Sequence, residues 1–340
     1  MSTEKTVAIL GATGAVGMQM QTCLEECNFP IKNLKLFASK SSVGKKFLFK
    51  GQEIEVQQAD ENAFKNVDIV LSAVENDVAK KLIPFAVESG AIVVDNSSAY
   101  RLDASVPLVV ANVNDEDIKK HSGIIANPNC ATIIAMLCIA PLHKKYGVER
   151  IICSTYQAAS GAGISGINEL NAQLADIVND RPICAKKAFQ DQLAMNLIPQ
   201  IGSFEDNLYS TEEMKMQNEG RKILHDENLR VNCTCVRVPI ARSHSESITI
   251  ECKEKISADE ARAVLTHAKG VKVIDNVSAE QACMRYPMPL YTSNQDLVFV
   301  GRIRNDISNE AGTGISFWCT GDQIRIGAAT NAVKIAEQLI

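Results

Sequence analysis

No stretch of this chain is long and apolar enough to span a bilayer, since no run approaches the ~20 residues that a transmembrane helix requires. The amino-terminal MSTEKTVAIL segment also lacks the apolar core and small-residue cleavage site of a signal peptide. The expected compartment is therefore the cytoplasm, with no membrane partner. A basic surplus is missing too: 35 Lys and Arg stand against 40 Asp and Glu, a formal charge of −5. No nucleic-acid partner is expected without a basic stripe. The eleven cysteines contain no CxxC pair, and Cys233-x-Cys235 has no further Cys or His at zinc spacing. No metal site is expected, and ten of the eleven read as small buried hydrophobes in a reducing compartment. Aromatic residues are few, at 5%, and there is neither an internal repeat nor a low-complexity tract.

What remains is an ordinary globular composition, 46% apolar and 22% charged, over 340 residues. That length exceeds one compact domain of roughly 100–200 residues and implies two. Up to about residue 130, short apolar runs at Thr6–Leu10, Leu34–Phe37, Val67–Ala73, Ala91–Asp95 and Gly123–Ala126 read as strands. Helical patterns at Met18–Cys27 and Val78–Glu88 lie between some of them. Continuously apolar strands separated by helices make a parallel sheet covered on both faces. From about Ile151 the strands alternate instead, as in Val231–Val238 and Ser245–Glu251. Helices at Asn168–Val178, Glu212–Leu224 and Ala258–Ala268 separate them, which predicts an α+β domain on a mainly antiparallel sheet. Gly327–Leu339 reads as a closing helix.

Gly11-Ala12-Thr13-Gly14-Ala15-Val16-Gly17 follows the first strand and opens the first helix. Glycines there permit a tight turn and close backbone approach, and the helix start offers free N–H groups to a pyrophosphate. The spacing is GxxGxxG, a variant of the dinucleotide fingerprint on a Rossmann-type, doubly wound α/β sheet. An NAD site would place an acid at the end of the second strand. Here the sequence reads Ala38-Ser39-Lys40-Ser41-Ser42, with Gly44 and Lys45 following. Hydroxyls and lysines without an acid suit a 2′-phosphate, so NADP is the expected cofactor.

The fifth strand ends in Asn127-Pro128-Asn129-Cys130-Ala131-Thr132, and a helical pattern runs from Cys130 to about Lys145. Cys130 alone among the cysteines sits at a strand-to-helix junction. The helix dipole stabilises a thiolate at that point, and the amides of the first turn can receive a developing oxyanion.

These two motifs closely resemble those of the aspartate-semialdehyde dehydrogenase family. The likeness extends in order through Asp95-Asn96-Ser97-Ser98-Ala99-Tyr100-Arg101, Tyr156-Gln157 with Gly163 six residues on, Glu212-Glu213-Met214-Lys215, Val236-Arg237-Val238-Pro239, Arg242-Ser243-His244 and Gly327 through Asn331. The resemblance implies NADPH-dependent reductive dephosphorylation of L-4-aspartyl phosphate to aspartate 4-semialdehyde, in the biosynthesis of lysine, threonine, methionine and isoleucine. It implies that Cys130 is the thioester-forming nucleophile, His244 the general acid/base and Gln157 the residue that orients the substrate. Arg237 is implied to clamp the substrate carboxylate, Glu212 to meet its ammonium, and Arg101 and Lys215 to hold phosphate. Ser160, Gly161 and Gln323 are implied to line the nicotinamide end. Family members often carry an arginine where this chain has Ser41, and Lys40 stands beside it. Residues 1–129 with 321–340 are expected to bind NADP. Residues 130–320 are expected to catalyse and to form a homodimer or homotetramer. Independently of the family, Ser210 and Glu213 have the spacing of a capping box. The competing readings are another acyl-phosphate reductase, such as one acting on N-acetylglutamyl phosphate or a glyceraldehyde-phosphate dehydrogenase, and a nonenzymatic NADP-binding sensor.

Overall fold

The computed structural model describes residues 4–340; residues 1–3, where the expected first domain begins, lie outside the described residues. In chain order the elements are β1 (Lys5–Leu10), α1 (Ala15–Glu26), β2 (Ile31–Ala38), β3 (Lys46–Phe49), β4 (Gln52–Gln58), β5 (Ile69–Ser72), α2 (Asn76–Glu88), β6 (Ile92–Asp95) and β7 (Ile124–Ala126). Then follow α3 (Cys130–Tyr146), β8 (Val148–Gln157), α4 (Gly163–Val178), α5 (Thr211–Leu224), β9 (Arg230–Arg237), β10 (His244–Cys252), α6 (Ala258–Thr266) and β11 (Val271–Val273). Two single-turn helices, α7 (Ala282–Arg285) and α8 (Pro289–Thr292), precede β12 (Val298–Asn305), β13 (Gly314–Gly321) and α9 (Thr330–Glu337). The chain divides into two compact units: residues up to Asn129 together with Ala328–Ile340, and Cys130–Gly327. The return crossing falls at Ala328, later than the expected residue 321, because β13 and the turn after it stay with the second unit.

The first unit is built on a seven-stranded sheet in the order β3-β4-β2-β1-β5-β6-β7, parallel except where β3 pairs antiparallel with β4. The sequence did not announce β3 and β4, whose runs are short and heavily charged. Lys50 (φ 47°) and Gly51 (φ 79°) join them through a turn that needs two left-handed residues in succession. Each sheet face has its own core. One gathers Met20 and Leu24 of α1 with Ala332 and Ile335 of α9, and the other gathers Phe37, Phe64 and the α2 residues Ala79, Leu82 and Ile83. Burying a large apolar side chain contributes about 1.5–3 kcal/mol, so both layers hold the sheet between them. Below α9, Asn331 is fully buried and donates to Val109 O (3.0 Å) and Asn127 Oδ1 (2.7 Å) while accepting from Ala111 N (2.9 Å).

The second unit carries a six-stranded sheet in the order β11-β12-β13-β10-β8-β9. Its three central pairings are antiparallel and its two outer ones parallel. The sheet is thus mixed with an antiparallel centre, and its strands alternate buried and wetter residues as the pattern implied. Its buried face lies under α3, which is apolar and buried along most of its length. The closing helix departs from expectation: Arg325–Ala329 forms a wide π-turn before α9 begins at Thr330.

Asn331→Leu keeps the volume and removes all three bonds, leaving buried polar groups unpaired. It should lower unfolding stability by about 2 kcal/mol or more, read as a reduced denaturant midpoint at unchanged slope.

Candidate functional site

In the first unit the glycine loop has the shape that a pyrophosphate cradle demands. Gly11 holds φ +88°, and a Cβ there would stand 2.3 Å from Ala73 O. A Cβ on Gly17 would meet Gly11 O at 2.2 Å. Gly14 is the N-cap of α1 and supplies no side-chain cap, so the first-turn amides of Ala15, Val16 and Gly17 receive no bond from it. The end of β2 leads into a short turn at Lys40–Ser42. There Thr13 Oγ1 lies 3.4 Å from Ser42 Oγ, and Lys45 Nζ donates to Ser42 at 3.4 Å. Ser39 and Ser41 bond each other at 3.0 Å, and Lys40 is exposed. The lysine that turns toward the hydroxyl cluster is therefore Lys45, with Lys40 on its rim. These groups fit a nucleotide phosphate. Arg101 is buried at the carboxyl edge of the same sheet, where Nε donates to Asn127 O (3.0 Å) and Nη2 to Asn96 O (2.7 Å). It joins the loops that follow β6 and β7.

In the second unit the candidate residues form a row across the sheet. Arg237 on β9 pairs in register with Gln157 on β8, and His244 on β10 pairs with Gly321 on β13. All project from the buried face. Gln157 Oε1 accepts from Thr155 Oγ1 (2.9 Å), and its Nε2 donates to Glu212 Oε1 (3.0 Å). Glu212 in turn pairs with Lys215 at 2.8 Å, three residues on along α5. Ser210 and Glu213 form the expected capping box, and Glu213 also accepts from Cys235 N (3.0 Å). That second contact fixes α5 against β9.

His244 is completely buried, and its Nδ1 accepts a 3.0 Å bond from the Ala158 amide. The proton of the neutral ring therefore sits on Nε2, which stands 3.4 Å from Gln157 Nε2. Burial and then the Arg237 cation drive the imidazole down to about 3, with Glu212 opposing. Burial also pulls the Arg237 guanidinium below its ordinary value, while Glu212 and Cys130 pull it back. Arg237 Nη1 donates to Ala158 O at 2.7 Å, and a Cβ on Gly161 would come within 2.6 Å of that nitrogen. Cys130 is half-buried as the first residue of α3, and a Cβ on Gly327 would stand 3.0 Å from its own.

Ser160 and Gln323 bond each other through their side chains, and Gln323 Oε1 accepts from Ser243 N at 3.0 Å. Sequence reasoning missed Ser243, Thr155, Asp322 and the Ala158 amide. Ser243 holds φ +72° next to His244, a backbone state that its residue type does not announce. Asp322 is fully buried and accepts from Arg242 Nε (2.6 Å), Asn294 N (2.6 Å) and Ile324 N (2.9 Å). Its only sequence signal is a charge between Gly321 and Gln323. The cysteines also depart from expectation in part: Cys27 and Cys184 are exposed and Cys283 is half-buried. All three stand beyond the apolar faces, at the end of α1, in an irregular segment and on the single-turn α7.

Residues 6–121 match the family described as semialdehyde dehydrogenase, NAD binding domain. Residues 139–326 match the semialdehyde dehydrogenase dimerisation domain. The aspartate-semialdehyde dehydrogenase of Aquifex aeolicus is 47% identical over 337 residues, 98% of this chain and 97% of that protein. That of Campylobacter jejuni is 46% identical over 343 residues, 99% and 98% of the two chains. Among solved structures, aspartate semialdehyde dehydrogenase II of Vibrio cholerae, complexed with ASA, superposes with TM-score 0.95 at 41% identity, over 99% of this chain and 98% of that one. The Candida albicans enzyme with NADP gives 0.74 at 25% identity, with the same coverage.

Directly behind the row lies a second one, Cys235, Thr155, Glu246 and Cys319 in register on the same four strands. Glu246 is fully buried; Cys319 Sγ stands 3.9 Å from Oε2, and Oε1 has no partner among the described residues. Burial pushes its carboxyl well above the ordinary 4.5. A raised folded value means that the stability Glu246 contributes is complete below pH 4.5 and is lost as pH climbs toward the folded value. Glu246→Gln removes that titration. The variant should gain on the parent in melting temperature as pH rises above 5, whereas parallel curves would mean an ionised Glu246.

Proposed function

The chain belongs to the aspartate-semialdehyde dehydrogenase family, and from that membership we propose how its own residues carry the reaction. It is an NADP-dependent oxidoreductase of amino-acid biosynthesis that converts L-4-aspartyl phosphate and aspartate 4-semialdehyde into each other. The relatives named above carry that one activity. Neither an acetylglutamyl-phosphate reductase or glyceraldehyde-phosphate dehydrogenase nor a nonenzymatic sensor is favoured.

The observation that carries the site assignment is the row of Arg237, Gln157 and His244, with Cys130 close enough to act on the Arg237 charge. The Cys130 thiolate attacks the acyl carbon of aspartyl phosphate. The bond to the phosphate oxygen breaks, and a thioester remains on sulfur. Bound NADPH supplies the hydride that a thioester accepts and a carboxylate does not. Charge that gathers on the carbonyl oxygen faces the Nε2–H of His244 and the first-turn amides of α3. Reforming the C=O bond expels the sulfur as thiolate and releases the aldehyde. The Ala158 bond to Nδ1 makes neutral, Nε2-protonated His244 the working form. It donates toward the reacting oxygen and returns with its proton in place.

Arg237 clamps the substrate carboxylate in this reading, Glu212 takes the ammonium, and Lys215 and Arg101 serve the phosphate. Gln157, fixed between Thr155 and Glu212, orients the bound substrate. Ser160, Gly161 and Gln323 line the nicotinamide end. Gly11, Thr13, Gly14 and the first-turn amides of Ala15, Val16 and Gly17 hold the pyrophosphate. Ser42 and Lys45, flanked by Lys40 and Ser41, hold the 2′-phosphate. The match to a dimerisation domain supports an oligomer. A homodimer paired through the open face of the second sheet, where the Tyr156 and Trp318 rings meet at a tilt with centroids 5.3 Å apart, is the form assigned. The compartment assigned is the cytoplasm, because eleven cysteines without a disulfide among them suit a reducing medium.

Phosphate-dependent reduction of NADP by aspartate semialdehyde is the direct assay. Cys130→Ser should reduce its rate at least about 10,000-fold, and retention of the rate would remove Cys130 from the chemistry. Lys45→Ala should raise the KM for NADP about tenfold with little effect on NAD. An equal effect on both cofactors would place the 2′-phosphate elsewhere.

A further inference from the structure

Residues 185–198 form a strap with no regular secondary structure apart from an isolated bridge at Ile198, yet buried side chains tie it at both ends. From α4, Glu169 Oε2 accepts from Lys187 N (2.7 Å) and Ala188 N (2.6 Å). One turn later Gln173 Oε1 accepts from Leu193 N and Ala194 N, both at 2.9 Å, and its Nε2 donates to Ala185 O at 2.7 Å. At the far end Ile198 and Arg237 exchange backbone bonds, Ile198 N to Arg237 O at 3.0 Å and Arg237 N to Ile198 O at 2.8 Å. The strap is therefore tied to α4 and to the main chain of Arg237 itself.

Its one large aromatic residue is Phe189, 8% exposed. The ring rests on Leu170, Leu193 and Ile198, and Gly166 lies so close that a Cβ there would stand 3.0 Å from Cζ. Toward the site, the Arg237 guanidinium carbon lies 5.8 Å from the ring centroid, within the range of a cation–π contact. Gly161 closes another side of the guanidinium, and Ala158 O takes Nη1. Among the described residues, Arg237 makes no ion pair with a carboxylate; its only side-chain hydrogen bond goes to that carbonyl. A buried cation left so has its remaining edge available, provided that its plane does not turn.

We propose that Phe189 is a positioning residue for substrate recognition, its ring setting the plane of the Arg237 guanidinium so that the free edge meets the α-carboxylate of aspartate semialdehyde. The inference rests on the reading of Arg237 as the carboxylate clamp. The strap anchors the ring: five bonds between its backbone and Glu169 and Gln173, and two to the main chain of Arg237, hold the segment on both sides of Phe189. Phe189 thus acts on which aldehyde is accepted, and the thiol chemistry proceeds without it.

The test compares aspartate semialdehyde with propanal, an aldehyde that has no carboxylate to clamp. Phe189→Leu and Phe189→Met should each raise the KM for aspartate semialdehyde about tenfold with kcat nearly unchanged. Propanal turnover and the alkylation rate of Cys130 should stay at the parent level, and Phe189→Tyr should restore the low KM. Equal losses on both aldehydes, or no change on either in the leucine and methionine variants, would overturn the proposal. Arg237→Ala separates the underlying reading from this one. If that variant keeps the parent KM for aspartate semialdehyde, Arg237 is not the clamp, whereas a raised KM there with an unchanged KM in Phe189→Leu rejects the role of Phe189 alone.

Discussion

Helix α3 lies over the second sheet so closely that a Cβ on Gly321 would come within 2.9 Å of Ile134 Cγ1. On its other flank, a Cβ on Gly220 of α5 would stand 3.2 Å from Met136 Cε. Two rows run beneath it: Cys235, Thr155, Glu246 and Cys319 in one, and Cys233, Cys153, Ile248 and Phe317 in the next. The spacing decides where the first residue of α3 stands. Its sulfur sits at the start of a helix that is apolar and buried along most of its length, and dense packing forbids that helix to slide.

The same packing gives the site its electrical character. A surface histidine would be protonated part of the time at neutral pH, but His244 has no access to water and lies beside Arg237. Glu212 is the one carboxylate described in this row, and Gln157 and Lys215 each take one of its oxygens. That leaves Arg237 under the partial pull of an acid already engaged elsewhere. A site arranged so is short of one negative charge, and a dicarboxylic-acid-derived substrate with an ammonium and an acyl phosphate brings charges of the needed sign. The buried thiols behind the row add none: the Cys233 contact and burial raise Cys235, and burial and the Cys138 contact raise Cys319, far above the ordinary thiol value.

Much of this could be read from residue order because the informative features are local. The glycines at 11, 14 and 17 mark a strand-turn-helix by their spacing, and Cys130 follows a proline that breaks a strand. The alternation of β8, β9 and β10 shows which residues share a face, so Gln157, Arg237 and His244 could be set on sheet strands before any fold was known. What escaped is whatever depends on pairing across long intervals. Nothing in the run around Glu246 says that its strand partners are Thr155 and Cys319, and so nothing marks it as buried. Glu169 and Gln173 look like polar residues on a surface helix until the strap folds onto them. Lys45 turns to the Ser42 hydroxyl, and Lys40 lies exposed in the 3-10 turn that follows Ala38.

The bond that sets the tautomer of His244 comes from a main-chain amide. A side-chain partner for Nδ1 could be lost by a single codon change. The Ala158 N–H survives every substitution at that position except proline. The proton on Nε2 is therefore insulated from sequence drift at its own support, and residue 158 is free to vary for other reasons, such as the size of the chamber beside it. Mutational tolerance at this point of the molecule is a consequence of which atom, and not which residue, does the holding.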